Sequence, residues 1–329
     1  MHYIGSKAKL SEFLLSHIKA RVGDELSEMV FCDLFAGSGT IGRVFKNQVK
    51  KMISNDLEYY SYVLNYHFVK SAADTKQYDD FVQKLNDLSL YENGFIYLNY
   101  TPRAGRNYFS EDNAKRIDAM RSQIEEWFTC KAIDEEGYFF LLASLLNSVD
   151  KVANTASLYG AYLKRLKKSA QQPLEFIPLI NEPSLKKHKL YNKDAKELIK
   201  EIQGDILYLD PPYNHRQYGA NYHILNTIAL YDSFEPKGTT GVREYKSSAY
   251  CKKSEVYESF EALIKEAGFR YIFVSYNNEG LMSETEIKDI MSKYGNYSFV
   301  KKEHQRFKSY KKYRPKTYEY LHILVKEAI

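Results

Sequence analysis

Apolar residues follow two rhythms along this chain. Near both ends, short apolar runs alternate with stretches in which apolar positions recur every three or four residues; through the middle that alternation is missing. Residues 6–21 predict a helix with Leu10, Phe13, Leu14 and Ile18 on one face. "MVFCDLFAG" predicts a buried strand ending at Gly37, and "KKMISND" a second ending near Asp56. The short helical "TIGRVFKNQ" lies between them, and "YYSYVLNYHFVK" after them predicts an amphipathic helix. From about Ser71 to Lys189 a polar helix is expected near 111–128 and an apolar one near 136–149. "NTASLYGAYLKRLKKSAQQP", rich in small, polar and basic residues, follows. The first rhythm returns with "HKLYNKDAKELIKEIQGDILYLD" as strand, helix and strand, and continues through "FRYIFVSYN" to a last strand, "YEYLHILVK". Strands alternating with helices imply an α/β fold with a doubly wound, mostly parallel sheet. The pattern divides the chain into 1–70 and 190–329, which together form that sheet, and an inserted, mostly helical segment at 71–189.

Composition narrows the class. With 329 residues, 44% of them hydrophobic, the chain can bury a full core. No apolar run approaches the roughly 20 residues of a membrane span, and "MHYIGSKAKL" lacks a signal-peptide layout, so a cytoplasmic, membrane-free protein is expected. Cys32, Cys130 and Cys251 are far apart and without metal-ligand spacing, which predicts free thiols and no metal. The net charge of +5 is unevenly spread: Lys151 to Leu190 holds eight basic residues against Glu175 and Glu182, and Lys301 to Lys316 holds eight against Glu303. Two basic stretches on an otherwise acidic chain suit a polyanion, although solvated lysine-rich loops would look the same. The 30 tyrosines read as compositional bias rather than as a set of stacking platforms.

In open α/β sheets, ligands sit at the carboxyl ends of the strands. The first such loop, "DLFAGSGTIG", places Gly37, Gly39 and Gly42 in the G-x-G-x-x-G spacing that brings backbone close to a nucleotide-type ligand, and a nicotinamide dehydrogenase shares that spacing. Asp33 ends an apolar strand and needs a partner there. Asp56, ending the next strand, is placed to accept hydrogen bonds from ribose hydroxyls.

The stretch "GDILYLDPPYNHRQY" discriminates further. An exocyclic amine on an aromatic ring is a poor nucleophile because its lone pair is delocalised; two acceptors on its two N–H groups favour a pyramidal nitrogen with the lone pair outward. Asp210 supplies one acceptor. The stiff Asp-Pro-Pro backbone, through the Pro211 carbonyl, supplies the other, since Pro211 and Pro212 fix φ and offer no competing N–H. Tyr213 presents a ring on which a flat base stacks. Proximity and oriented acceptors then carry the reaction without a metal.

Together these motifs resemble the DNA adenine-N6 methyltransferases, in particular the group related to Dam and to the methyltransferase of the FokI system. The matching residues are "YIGSKAKL", "DLFAGSGTIG", "SNDLE", "NKDAKEL", "DPPYNHRQY", "FVSYNNEGL" and "YEYLHIL", in the order of the family's alpha arrangement. The resemblance implies a Rossmann-like sheet using S-adenosylmethionine, with target recognition in the inserted segment and base flipping out of double-stranded DNA. It implies that Tyr3 and Lys7 flank the methionine part of the cofactor or the target-base pocket. Asp33, Phe35, Gly37 and Gly39 line the methionine and ribose side, Asp56 holds the ribose and Asp194 lies near the cofactor adenine. Dam-like members commonly carry a Phe where Ala195 stands here. For DNA the candidates are Arg165, Lys167 and Lys168 in the insertion, Arg216 beside His215 and Tyr218 past the clamp, and Lys308, Lys311, Lys312 and Arg314 on an expected hairpin tip. Asn154, Thr155 and Tyr159 are further candidates for reading or wedging the duplex. A monomer is expected, with or without a restriction endonuclease acting on the same site. RNA or protein-amide methylation, or a catalytically silent DNA-binding subunit, are the alternatives.

Overall fold

Residues 10–304 and 317–327 are described in the computed structural model of the chain. The apolar runs become β1 (Val30–Asp33), β2 (Lys51–Asn55), β3 (Lys189–Tyr191), β4 (Gln203–Leu209) and β5 (Gly268–Asn277), followed by β6 (Gly295–His304) and β7 (Thr317–Lys326). They form one sheet in the order β3-β2-β1-β4-β5-β7-β6. The first five are parallel, and β7 runs antiparallel to both β5 and β6. Ile206 to Leu209 of β4 are all buried, because helices cover both faces of a parallel sheet and leave no polar side. Gly204, the second residue of β4, lies where a Cβ would come within 2.8 Å of Phe269 and 2.9 Å of Val30, so a side chain there would crowd the flanking strands.

The described residues fall into two compact units. One holds the sheet: residues 10–57, 186–217, 247–304 and 317–327. Its core joins Cys32, Leu34, Leu207, Leu209, Ile272 and Val274 of the sheet region to helix Val256–Glu266 and helix Glu284–Met291. The other unit comprises Glu58–Leu185 and Tyr218–Lys246. Residues 58–70 and 218–246 therefore group with the middle segment, so that the units are cut differently from the divisions at 70 and 190 that the apolar rhythm suggests.

In that second unit helix Glu135–Val152 is buried along most of its length and packs against helix Glu111–Thr129. Asp134 and Ser110 cap the two helices by accepting from the Gly137 and Asn113 amides. "YYSYVLNYHFVK" differs from expectation. It is helix Tyr59–Asn65 running into a π turn, Tyr66–Lys70, and is buried nearly all round rather than on one face. Its tyrosines supply the apolar body that the polar face of an amphipathic helix would lack, which hides the burial from a simple count of polar residues. Tyrosine serves the core elsewhere too: Tyr60, Tyr100, Tyr108, Tyr159, Tyr208, Tyr222 and Tyr276 are fully buried. Among the described residues no helix is long and apolar enough to cross a membrane.

Candidate active site

The sheet reverses its chain order between β1 and β4, and the loops leaving those two strands carry the glycine turn and the Asp-Pro-Pro-Tyr segment. The register pairs Asp33 with Tyr208, two residues before Asp210, so ladder geometry brings the two motifs side by side at the carboxyl edge.

Asp33 is 1% exposed, and neither carboxyl oxygen has a hydrogen-bond partner among the described residues. Burial pushes its pKa well up, and the carboxylates of Asp210 and Asp56 push it further; the nearby Phe35 amide opposes them only weakly, lying outside hydrogen-bond geometry. A buried carboxyl in that state favours either a proton or a cation beside it. Burial, then Asp33, also raises the neighbouring Cys32 thiol, which keeps it protonated and unreactive.

After β1 the backbone turns through Gly37 (φ 51°) and Gly39 (φ 75°), left-handed conformations that favour glycine. Gly39 caps helix Thr40–Phe45. The Asp56 carboxylate accepts the Gly37 N–H at 2.8 Å, so this acid shapes the glycine turn from the end of β2. Two asparagines lace the same edge together. Buried Asn55 donates to the Leu34 and Lys193 carbonyls, both at 3.1 Å, and accepts from the Lys193 N–H at 3.0 Å. Asn192 donates to the carbonyls of Asp56 and Leu57. Asp194 caps the short helix Ala195–Leu198 through the Lys196 N–H.

Following β4, Asp210 is half-buried, Pro211 buried, and Pro212 and Tyr213 half-buried. The loop after β5 buttresses them. The Tyr213 carbonyl accepts the Leu281 N–H at 2.8 Å. The Tyr213 ring meets Tyr276 edge-on at 6.0 Å, and the Tyr276 hydroxyl accepts the Met282 N–H at 3.2 Å. A capping box between Ser283 and Glu286 anchors the far end of that loop on helix Glu284–Met291. Sequence reasoning named "FVSYNNEGL" but missed Tyr276 and Leu281 as supports. It also missed Tyr250, whose ring stands edge-on to Phe35 at 5.1 Å. The tyrosine at the end of an apolar strand was the one available signal.

One unit thus gathers Asp33, Phe35, Gly37, Gly39, Asp56, Asp194, Asp210, Pro211, Pro212, Tyr213 and Arg216. His215 and Arg216 are exposed. Arg165, Lys167 and Lys168 belong to the other unit. There Arg165 and Lys168 are exposed, whereas the Lys167 ammonium donates to the Thr155 carbonyl at 2.9 Å. Asn154, Thr155 and Tyr159, by sequence only candidates for base contact, are buried, whereas a polar loop of this kind is expected to be solvated. The Asn154 side chain bonds the carbonyls of Asn107 and Leu163 and the Lys167 N–H, and the Tyr159 hydroxyl donates to Asp150. These are polar groups that fold a loop, and sequence cannot tell them from exposed ones. Tyr3, Lys7, Lys308, Lys311, Lys312 and Arg314 lie outside the described residues; β6 and β7 form the expected antiparallel hairpin on either side of the last four.

A parallel sheet in this order with an antiparallel β7, a glycine turn after β1 and Asp-Pro-Pro-Tyr after β4 define a Rossmann-like methyltransferase. The chain belongs to the D12 class N6 adenine-specific DNA methyltransferases, whose family model matches residues 3–290. It is therefore an adenine-specific DNA methyltransferase, not a dehydrogenase. The type II methyltransferase M.NlaIII of Neisseria lactamica is 54% identical over 333 residues, covering 99% of each chain. M.CviAII of Paramecium bursaria Chlorella virus 1 is 42% identical over 93% of this chain and 92% of its own. M.FokI of Planomicrobium okeanokoites is 37% identical over 99% of this chain but only 53% of its own length.

Proposed function

We propose that the chain uses S-adenosylmethionine to methylate N6 of an adenine flipped out of double-stranded DNA, as the modification enzyme of a restriction–modification pair. The observation that carries the reading is the adjacency of Asp33 and Asp210 at the ends of paired strands, which sets a carboxyl suited to a cation beside an acceptor suited to an amine. The methyl donor, when bound, supplies an electrophilic methyl on a cationic sulfonium. Asp33 offsets positive charge on the donor, and Phe35, Gly37 and Gly39 flank its methionine and ribose parts. Asp56, whose carboxylate accepts the Gly37 N–H at the end of β2, serves the ribose hydroxyls. Asp194 serves the donor's adenine, and Tyr3 and Lys7 close the methionine end or the target-base pocket. Asp210 and the Pro211 carbonyl accept the two N–H groups of the target amine, and Tyr213 stacks on its ring.

The segment 71–189 carries target recognition in this reading. Arg165 and Lys168 contribute to that recognition, while Arg216, with Lys308, Lys311, Lys312 and Arg314, contacts phosphates. The protein works as a cytoplasmic monomer, and the partner endonuclease is suggested by its type II relatives. The deciding experiment is tritium transfer to duplex DNA by Asp210→Ala. Cofactor affinity stays within a few-fold while turnover falls by at least about a hundredfold, the scale of losing one oriented electrostatic partner. Turnover within tenfold of wild type defeats the clamp.

A further inference from the structure

We propose that residues 247–251 couple donor occupancy to the adenine clamp. The inference rests on the reading that Phe35 lines the donor's site. Two anchors meet in these five residues. On one side the Tyr250 ring packs edge-on against Phe35, with centroids 5.1 Å apart and planes at 80°. Tyr250 is 5% exposed and joins Ala195, Leu198 and Val274 in the sheet unit's core, so Phe35 has a firm wall behind it.

On the other side the same segment grips the chain just past Tyr213. The Gln217 side chain donates to the Ser247 hydroxyl at 3.1 Å and the Ser248 carbonyl at 3.2 Å, and accepts the Ser248 N–H at 2.8 Å. The Cys251 thiol donates to the Arg216 carbonyl at 3.4 Å. Residues 249–251 form a single 3₁₀ turn, so Tyr250 and Cys251 shift together. A donor that packs against Phe35 restricts that ring, through it Tyr250, and through the turn the backbone of Arg216 and Gln217. The Tyr250 hydroxyl takes no part, since it has no hydrogen-bond partner among the described residues. The ring transmits the restraint.

Coupling of this kind is reciprocal: donor and DNA tighten each other by one common factor. The test measures anisotropy of a fluorescent duplex that the wild-type enzyme methylates, with and without saturating S-adenosylhomocysteine. Wild type tightens on DNA at least about fivefold with S-adenosylhomocysteine, the low end of ordinary coupling. In Tyr250→Leu and in Gln217→Ala, each shown folded by thermal melting, the ratio falls below about twofold; in Tyr250→Phe it keeps its wild-type value. Should Tyr250→Leu not fold, Gln217→Ala decides. A wild-type ratio near one, or wild-type ratios in both Tyr250→Leu and Gln217→Ala, overturns the proposal and leaves the donor reading standing. Failure of the wild type to bind S-adenosylhomocysteine overturns the donor reading itself, and this proposal with it.

Discussion

Asp33 concentrates the conflict between stability and function in one side chain. Its carboxyl is buried, lacks a hydrogen-bond partner among the described residues and feels the carboxylates of Asp56 and Asp210. Because burial and those neighbours raise its pKa, the folded state holds the proton more tightly than the unfolded chain. The linked stability is therefore full at low pH and declines as pH rises above the ordinary carboxyl value near 4. Asp33→Asn removes the titrating carboxyl while keeping the shape. At pH 7.5 the cofactor-free variant is expected to melt higher, by about 2–4 °C for each kcal/mol relieved, and to bind S-adenosylmethionine at least about tenfold more weakly. Differential scanning fluorimetry and calorimetric titration read the two effects, and a lower melting temperature with unchanged affinity contradicts this account. Tight binding of NADH in the same titration would contradict the donor assignment.

Two elements of the sheet unit carry predictions without touching a reacting atom in the proposed reaction. The loop after β5 turns at Gly280, where an added Cβ would fall on the Tyr276 ring. Gly280→Ala is expected to push Tyr276 off Tyr213 and to cut methyl transfer by about tenfold or more, since small misplacements near a reacting centre are costly. S-adenosylmethionine affinity stays near wild type, and a variant with full turnover shows that the buttress is dispensable. In the β6–β7 hairpin the Tyr297 hydroxyl and His322 Nδ1 share a hydrogen bond at 2.8 Å, a diagonal cross-strand pair set by the pairing of Phe299 with His322. Burial lowers the His322 pKa to about 4, so the folded hairpin holds a neutral ring that the unfolded chain protonates below about pH 6.5. Stability from this residue is complete above pH 6.5 and drains away as pH falls toward 4. His322→Gln is thus expected to lose less melting temperature than wild type between pH 7.5 and pH 5, and an equal or larger loss argues against a neutral His322.

For the molecule as a whole, the proposed function divides the work of DNA binding between two basic stretches of the sequence. Neutralising Lys308, Lys311, Lys312 and Arg314 together is expected to weaken binding to every duplex and to flatten the slope of log affinity against log salt by roughly one unit for each phosphate no longer neutralised, leaving sequence preference alone. Paired Arg165→Ala and Lys168→Ala changes in the middle segment are expected to alter discrimination between a methylated site and its single mismatches, where each wrong pair costs about 1–3 kcal/mol. Lys167→Ala belongs apart from both, because its ammonium braces the Thr155 carbonyl, and its first effect is on melting temperature. Anisotropy titrations across a salt series separate these outcomes, and exchanged signatures would move recognition to the hairpin.

Sequence alone determined the strands, their α/β class and the motif residues at the strand ends, because buried parallel strands must be continuously apolar and because glycine, proline and an acid at a turn have few other uses. It also placed β6 and β7 on either side of the basic stretch. Only the tertiary structure decided what each polar residue near those motifs does. Asn55 and Asn192 lace three loops, Asp56 holds Gly37, and Asn154 and Tyr159 turn inward where exposure was expected. Tyr250 meets Phe35 across more than two hundred residues of chain. Periodicity reports only which side of its own element a residue lies on; the partner of a buried hydroxyl, amide or carboxyl is set by whichever other strand or loop the fold brings within about 3 Å.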